Sequence, residues 1–398
     1  MENHGADEMR CRWPEPAGNV FRLRRALITV VCGVFLATGC DKPTSPEKSE
    51  ATQENTAERA KSPSTEPQPT EGRRLKIVVK QAAFTREQLH ELESAVPQAR
   101  FVFVGNDDPD KAQLQEVGDA DALLTDWLTP ELVRAGKKLK WIQHYAAGVD
   151  DLMFPELATS DIVMTNCKIV QGPEIADHAF AMLLALTRKL NEIIPNQKQR
   201  VWDFGRYRER DNWPIELNGR TALVIGLGGV GMQVAQRAHA FGMKVIAVDP
   251  KDVPYILFVH ATYRPDRLHE LLPQADVIFV SAPLTASTHK MIGTAEFGRM
   301  KHGAYLIALS RGPIIDTDAL VRSLEDGRLA GAGLDVVDPE PLPKDHPLWK
   351  FGNVILTPHM SGQSATAWER RLELFKENAR RFVTGAPLLH VVDKKKGY

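Results

Sequence analysis

The chain is poor in cysteine and nearly free of net charge. Four cysteines in 398 residues cannot staple a disulfide scaffold. The 50 Lys+Arg and 51 Asp+Glu leave a formal net charge of -1, which excludes a protein that grips nucleic acid or an anionic surface by bulk charge. Long apolar runs are missing too. The uncharged stretch from Ala26 to Gly39, about 14 residues, is too short to span a bilayer as a helix, so a multi-span membrane protein is excluded. What remains is an ordinary globular composition, 43% hydrophobic and 25% charged, and a length that predicts two or three domains at about 100 to 200 residues each. The cysteines are unevenly placed, however. Cys11, Cys32 and Cys40 lie near the start and Cys167 stands alone, so the average hides two different pieces.

The first piece is a targeting segment. Arg22, Arg24 and Arg25 precede the uncharged stretch, which ends in Leu36-Ala37-Thr38-Gly39-Cys40, the order of a charged region, an apolar core and a small-residue cleavage site. The ending resembles the lipobox of bacterial lipoproteins, with Leu36 one place earlier than usual, and implies lipidation at Cys40. Arg24-Arg25-Ala26-Leu27-Ile28 also resembles a twin-arginine export signal. The rival reading is a misplaced start, which would leave the protein cytoplasmic. Residues 41–72 contain no Val, Ile, Leu, Met, Phe, Trp or Tyr and cannot bury enough apolar surface to fold. They read as a tether spanning about 30 Å as a flexible coil, suited to a membrane-tethered protein on the periplasmic or extracytoplasmic face.

From Leu75 the pattern becomes short apolar strands separated by helices, which predicts parallel sheets covered on both faces. Leu75 to Val79, Phe101 to Val104, Ala122 to Leu124, Lys140 to Gln143 and Ile162 to Met164 read as one series of strands. A helix with Pro173 in its first turn and running to about Leu190 is apolar nearly all round, so it must be buried. Asp177 and His178 on it read as structural, and Cys167 just before it as a packing residue. A second series follows Gly219: Ala222 to Ile225, Lys244 to Val248, Asp276 to Val280, Ala304 to Leu309, Gly333 to Val337 and Asn353 to Leu356. The final helix, about Ser364 to Thr384, sets Trp368, Leu372, Phe375, Ala379 and Phe382 on one stripe, and Gly385 is placed to end it.

Gly226-Leu227-Gly228-Gly229-Val230-Gly231 joins the first strand of the second series to a helix. Gly226 permits the tight turn, Gly228 lets backbone approach a pyrophosphate, and Gly231 lets helix and strand pack closely. The helix N-terminus then faces the phosphates. The next strand ends in Asp249, about 20 residues on, where an acid accepts from the adenosine ribose and repels a 2′-phosphate, favouring NAD.

In open parallel sheets ligands bind beyond the strands' carboxyl ends, and there the sequence places Arg311, Glu340 and His359. Each alone could be a surface cation, a turn acid or a capping residue. Together, Ser310-Arg311-Gly312-Pro313-Ile314-Ile315-Asp316, Gly333-Leu334-Asp335-Val336 through Pro339-Glu340-Pro341, and Thr357-Pro358-His359-Met360-Ser361-Gly362 resemble, in order, three signatures of the NAD-dependent D-isomer-specific 2-hydroxyacid dehydrogenases. Ser281-Ala282-Pro283 resembles that family's strand-end loop beside the cofactor.

The resemblance implies two doubly wound parallel-sheet domains, a Rossmann NAD-binding domain (173–360) inserted in a flavodoxin-like substrate domain (73–172 and 361–398). It implies substrate-carboxylate contacts from Ala147, Gly148 and Val149, and cofactor contacts from Gly226, Gly228, Gly229, Val230, Gly231, Asp249, Ser281, Pro283 and Asp335. It further implies a homodimer and no metal. Arg311 would hold the carboxylate of a 2-oxo acid, His359 would act as acid and base, and Glu340 would orient the imidazole. One residue departs from the family pattern: Ala308 stands where Asn is usual. The competing functional reading is an NAD-binding sensor or corepressor-like protein with little turnover.

Overall fold

Ile77, Val78 and Val79 point to alternate sides of their strand, yet all three are fully buried, so both faces of the sheet they belong to are covered. A computed structural model describes residues 74–81, 84–105 and 109–398. The targeting segment, Cys40 and the tether lie outside the described residues. The described residues fall within one unit that holds two sheets. The first contains β1 (Leu75–Lys80), β2 (Ala99–Val104), β3 (Ala122–Thr125), β4 (Trp141–His144) and β5 (Val163–Thr165), in the order β2-β1-β3-β4-β5. All its pairings are parallel, and this is the flavodoxin-like order.

The second sheet contains β6 (Thr221–Ile225), β7 (Lys244–Val248), β8 (Ala261–Tyr263), β9 (Val277–Val280), β10 (Ala304–Ala308), β11 (Leu329–Leu334) and β12 (Val354–Leu356). Its order is β12-β11-β10-β9-β6-β7-β8, again all parallel. Counted from β6, this is the Rossmann arrangement with one further strand at the β12 edge.

Helices cover these sheets where the sequence pattern places them. Thr85 caps the helix Arg86–Ala95 through a reciprocal pair with Gln88, satisfying donors that a helix start leaves unpaired. The final helix, Ala365–Thr384, is capped by Ser364 and stopped by Gly385 at φ 72. It lays Leu372, Phe375 and Ala379 onto the first sheet against Ile77, Leu124 and Trp141. The apolar helix Gly172–Thr187 packs instead on the second sheet, with Ala179, Phe180, Met182, Leu183 and Leu186 against Val224, Phe279 and Ile307. The chain therefore crosses from one sheet to the other at the start of this helix, and returns after β12 to pack its last helix on the first.

Two sequence expectations need correction. β11 is Leu329–Leu334, not Gly333 to Val337, because its glycines serve packing: a Cβ on Gly333 would lie 2.8 Å from Met182 Cβ. The second sheet also has a seventh strand, β8, whose three residues Ala-Thr-Tyr are only half-buried and carry no apolar alternation to reveal it. The shift of β11 matters for the site, since it puts Asp335 at the start of the loop rather than in the strand.

Candidate active site

The glycine loop leaves the carboxyl end of β6, in the middle of the second sheet. Gly226 has φ 90, and a Cβ there would lie 2.6 Å from the backbone of Ala282, so only glycine fits the turn. A Cβ on Gly231 would lie 1.9 Å from Gly226 O, which enforces the close helix-strand contact. At Gly228, by contrast, a Cβ would meet nothing within 4 Å. That residue is exposed and opens the twelve-residue helix Gly229–Ala240, so its open side is the one a pyrophosphate can approach. Val230 packs on the second-sheet core, and Gly229 sits against Ile169 of the other half, 2.6 Å from its Cα if it bore a Cβ.

Asp249 directly follows β7 and ties the glycine loop to it. Its Oδ2 accepts from Leu227 N at 2.8 Å and its Oδ1 from Lys251 N at 2.8 Å. Ser281 lies between the halves of the turn, with Oγ 2.7 Å from Gly226 O and 3.1 Å from Ile225 O. Its hydroxyl fixes the cradle. Pro283 follows on the exposed side, its carbonyl accepting from Thr288 Oγ1 at 2.7 Å. These residues fit a dinucleotide cradle: a rigid turn, one open glycine and a free helix N-terminus.

Arg311, Glu340 and His359 come from the loops after β10, β11 and β12, three adjacent parallel strands. The loops are locked together. A Cβ on Gly312 would lie 1.8 Å from Val337 O, and Thr317 Oγ1 donates to Asp338 O at 2.8 Å. His359 Nδ1 lies 2.7 Å from Glu340 Oε1, both side chains exposed, so the carboxylate orients the ring and leaves Nε2 for chemistry. His359 has φ 49, an uncommon conformation for a residue with a Cβ. It is held there by Asp335, whose carbonyl accepts His359 N–H at 2.9 Å.

Arg311 reaches across to the first half of the molecule. Its Nε donates to Asp150 Oδ1 at 2.9 Å and its Nη1 to Ser310 O at 2.9 Å. The remaining Nη2 lies over Gly148, where a Cβ would be only 1.6 Å away. The N–H groups of Ala147, Gly148 and Val149 have no hydrogen-bond partner among the described residues. Val149 buries its side chain in the first-half core, while Asn166 Nδ2 steadies Ala147 O at 2.6 Å. Unpartnered backbone donors close to a guanidinium are groups of the kind that can hold a carboxylate.

Asp335, expected from the sequence among the cofactor contacts, has a wholly buried side chain. Its Oδ1 accepts from Thr357 Oγ1 at 2.6 Å and Met360 N at 3.0 Å, and its Oδ2 from Ser361 N at 3.0 Å. Burial alone would push this carboxyl up, but the donors from Ser361, Thr357 and Met360 outweigh it and hold the group below its ordinary value. It is the anchor of the histidine loop. Ala308, the departure from the family pattern, is buried at the end of β10, and its carbonyl accepts Asp335 N at 3.1 Å.

The sequence reading missed Asp150 as the partner of Arg311. It also missed His144, a buried imidazole at the end of β4 pushed down to about 4 by burial, against the pull of Asp151 and Asp126. Asp150 stands two residues after Gly148, which was its only signal. Cys167 is free and buried, its thiol pushed up to about 12 by burial, which leaves it inert. Asp177 pairs with Arg237 at 2.7 Å, a structural role.

A dinucleotide cradle, a carboxylate clamp and a paired histidine define a hydride-transferring dehydrogenase. The profile described as "D-isomer specific 2-hydroxyacid dehydrogenase, NAD binding domain" matches residues 180–361. A glyoxylate reductase of Korarchaeum cryptofilum (strain OPF8) is 36% identical over 291 residues, covering 69% of this chain and 83% of that protein. One of Thermococcus litoralis is 34% identical over 300 residues, covering 71% and 86%. A D-isomer specific 2-hydroxyacid dehydrogenase family structure from Aeromonas salmonicida is 31% identical with a TM-score of 0.69, covering 81% of this chain and 100% of that one. The chain belongs to the D-isomer-specific 2-hydroxyacid dehydrogenases, and is a 2-hydroxyacid oxidoreductase with an NAD(P)-binding domain.

Proposed function

We propose that the protein reduces small 2-oxo acids of the glyoxylate and hydroxypyruvate kind to D-2-hydroxy acids, with NADH preferred over NADPH. The observation that carries this reading is the pairing of His359 with Glu340 at 2.7 Å across two strand-end loops, the second of them next to the loop that sends Arg311 over Gly148. Two relatives named glyoxylate reductase support the substrate class. When bound, NADH supplies the hydride for the carbonyl carbon. Arg311 and the amides of Ala147, Gly148 and Val149 hold the substrate carboxylate. Asp150 keeps the guanidinium aimed. His359, protonated, gives its proton to the carbonyl oxygen as negative charge grows there, and takes it back in the oxidative direction. Glu340 holds the ring in position for both transfers.

Preference for NADH is supported by Asp249 at the ribose position. Lys251, the nearby cation that would welcome a 2′-phosphate, has its Nζ 5.0 Å from the centre of the Tyr398 ring, a cation-π contact that competes for it. A homodimer is supported by the exposed apolar side chains Leu190, Ile194, Val201, Trp202, Phe204 and Trp213 in one stretch of the second half, more than scattered surface residues need. The two separate sheets support a division into a substrate domain (73–172 with 361–398) and an inserted cofactor domain (173–360). A tether through Cys40 would hold this enzyme at a membrane surface, and mass spectrometry of the native N-terminus tests it: a diacylglyceryl Cys40 supports the tether and an N-terminus near Leu75 removes it.

The central test is turnover. The purified chain mixed with NADH and glyoxylate, hydroxypyruvate or pyruvate should lose nicotinamide absorbance. Tight NADH binding with no turnover across a broad panel of 2-oxo acids would sink the enzyme reading and return the sensor one.

A further inference from the structure

We propose that His178 is a positioning residue for the reaction, acting on His359 through Thr357 and Asp335. The inference rests on the reading of His359 as the proton donor. His178 lies nearly two turns into the helix Gly172–Thr187, far upstream in sequence of both Glu340 and the histidine loop. Its Nε2 is 2.9 Å from Thr357 Oγ1 and 3.6 Å from Asp335 Oδ1.

The direction of each hydrogen bond follows from the chemistry of the three groups. Asp335 is a carboxylate and can only accept. Thr357 Oγ1 lies 2.6 Å from Asp335 Oδ1, so the single hydroxyl proton of Thr357 belongs to that bond. Toward His178 the hydroxyl then has only lone pairs to offer. His178 Nε2 must therefore carry a proton and donate, which selects one tautomer of its ring. The facing charge on this imidazole is Asp335, since Asp177 beside it is committed to Arg237 at 2.7 Å.

Asp335 in turn grips the segment that holds the histidine, through Met360 N and Ser361 N on its carboxylate and His359 N on its carbonyl. His359 sits at φ 49 between these anchors, a conformation that persists only when neighbours fix it. Losing the His178 donor leaves the half-buried Thr357 oxygen without a donor and removes one of the two hydrogen bonds that fix its side chain, the other being its own donation to Asp335. The loop then loses one of its supports, and small misplacements of a reacting group are costly. The helix that supplies His178 begins where the chain crosses between the two sheets. The His178 contact thus ties the crossing to the histidine loop, while Glu340 fixes the ring itself.

The test measures reduction of glyoxylate by the full chain in His178→Ala, His178→Gln, Thr357→Val and the double variant His178→Ala/Thr357→Val. A Gln amide nitrogen reaches about as far as Nε2 and keeps the donor. Expected is a fall of about tenfold in kcat for His178→Ala, as for other outer supports of a reacting group, with the NADH dissociation constant and the glyoxylate KM within about twofold. His178→Gln should recover most of the loss. Thr357→Val should be slow, and the double variant no slower than the worse single one, because both changes cut the same chain. The proposal is overturned if His178→Ala keeps the parent kcat, if Ala and Gln variants are equally slow, or if the two losses multiply. Should His178→Ala fail to fold, the Gln and Thr357→Val variants decide alone: a parent kcat in Thr357→Val overturns the chain. A His359→Ala variant that turns over at the parent rate would instead defeat the proton-donor reading, a failure distinguishable from the others.

Discussion

Adding one methyl at Gly148 should separate binding of substrate from stability of the fold. The Cβ of Gly148→Ala would lie 1.6 Å from Arg311 Nη2, 2.5 Å from Cζ and 3.0 Å from Nη1, where ordinary contact begins near 3.4 Å. The guanidinium must retreat by about 2 Å to reach a normal carbon contact distance. The clashing atoms are the tip of a flexible side chain, about a quarter exposed, so they can yield without moving backbone. The stability cost is correspondingly small. Weakening a partly exposed Arg311–Asp150 pair costs about 0 to 1 kcal/mol, and replacing glycine by alanine outside the left-handed region returns about 0.4 to 1 kcal/mol through the unfolded chain. The two nearly cancel.

The functional cost does not cancel. A displaced guanidinium forfeits charge-assisted hydrogen bonds to the substrate carboxylate, each worth about 1.5 to 3 kcal/mol. At about 1.4 kcal/mol per decade, kcat/KM for glyoxylate should fall by about 10- to 100-fold for one lost bond and further for two. NADH affinity, read by quenching of protein fluorescence, should be unchanged, and the denaturation midpoint in urea should move little. Gly298→Ala, where an added Cβ meets nothing within 4 Å, is the control for an innocuous methyl. Parent-like kcat/KM in Gly148→Ala would refute the carboxylate clamp. A loss of more than about 3 kcal/mol in stability would refute the claim that Arg311 is free to yield.

Asp249→Asn should lower the ratio of NADH to NADPH efficiency by about tenfold or more, because the acid that repels a 2′-phosphate is gone; steady-state kinetics with both cofactors reads it, and an unchanged ratio would take cofactor choice away from Asp249. Acid should destabilise the protein through His144. The unfolded imidazole binds a proton near pH 6.5 and the buried one only at about 4, so stability is lost as pH falls through that window, by up to about 3 kcal/mol. Urea titrations at pH 7 and 4.5 should show this loss reduced in His144→Gln, and an equal loss in both proteins would argue against His144 as its source. If the proposed homodimer forms through this stretch, replacing Trp202 and Phe204 together by Asp should halve the mass measured by light scattering, whereas an unchanged mass would count against that contact. Asp150→Asn should raise the KM for 2-oxo acids several-fold with a smaller effect on kcat, since Arg311 keeps its charge but loses its aim.

The parts of this protein that could be read from sequence are those governed by local pattern. The glycine loop announces itself because a tight turn, an open phosphate face and a close helix contact each demand glycine within six residues. The final helix is bounded correctly because Ser364 and Gly385 act on backbone groups a residue or two away. Arg311, Glu340 and His359 follow from a rule about strand ends that needs only strand positions. What could not be read are long-range partners. Asp150 and Arg311 are 161 residues apart in the chain, and no periodicity links them. His178 and Thr357, 179 apart, meet only because the apolar helix lies on the face of the second sheet rather than against the first. Asp335 was expected beside the cofactor by resemblance, and its contacts to the histidine loop appear only once β11 is found to end at Leu334. Its carboxylate then accepts from three donors of that loop, Thr357 Oγ1, Met360 N and Ser361 N. The roles that sequence leaves open in such a site belong to the groups that hold the reacting residues still. They lie on elements remote in the chain, where only packing can bring them together.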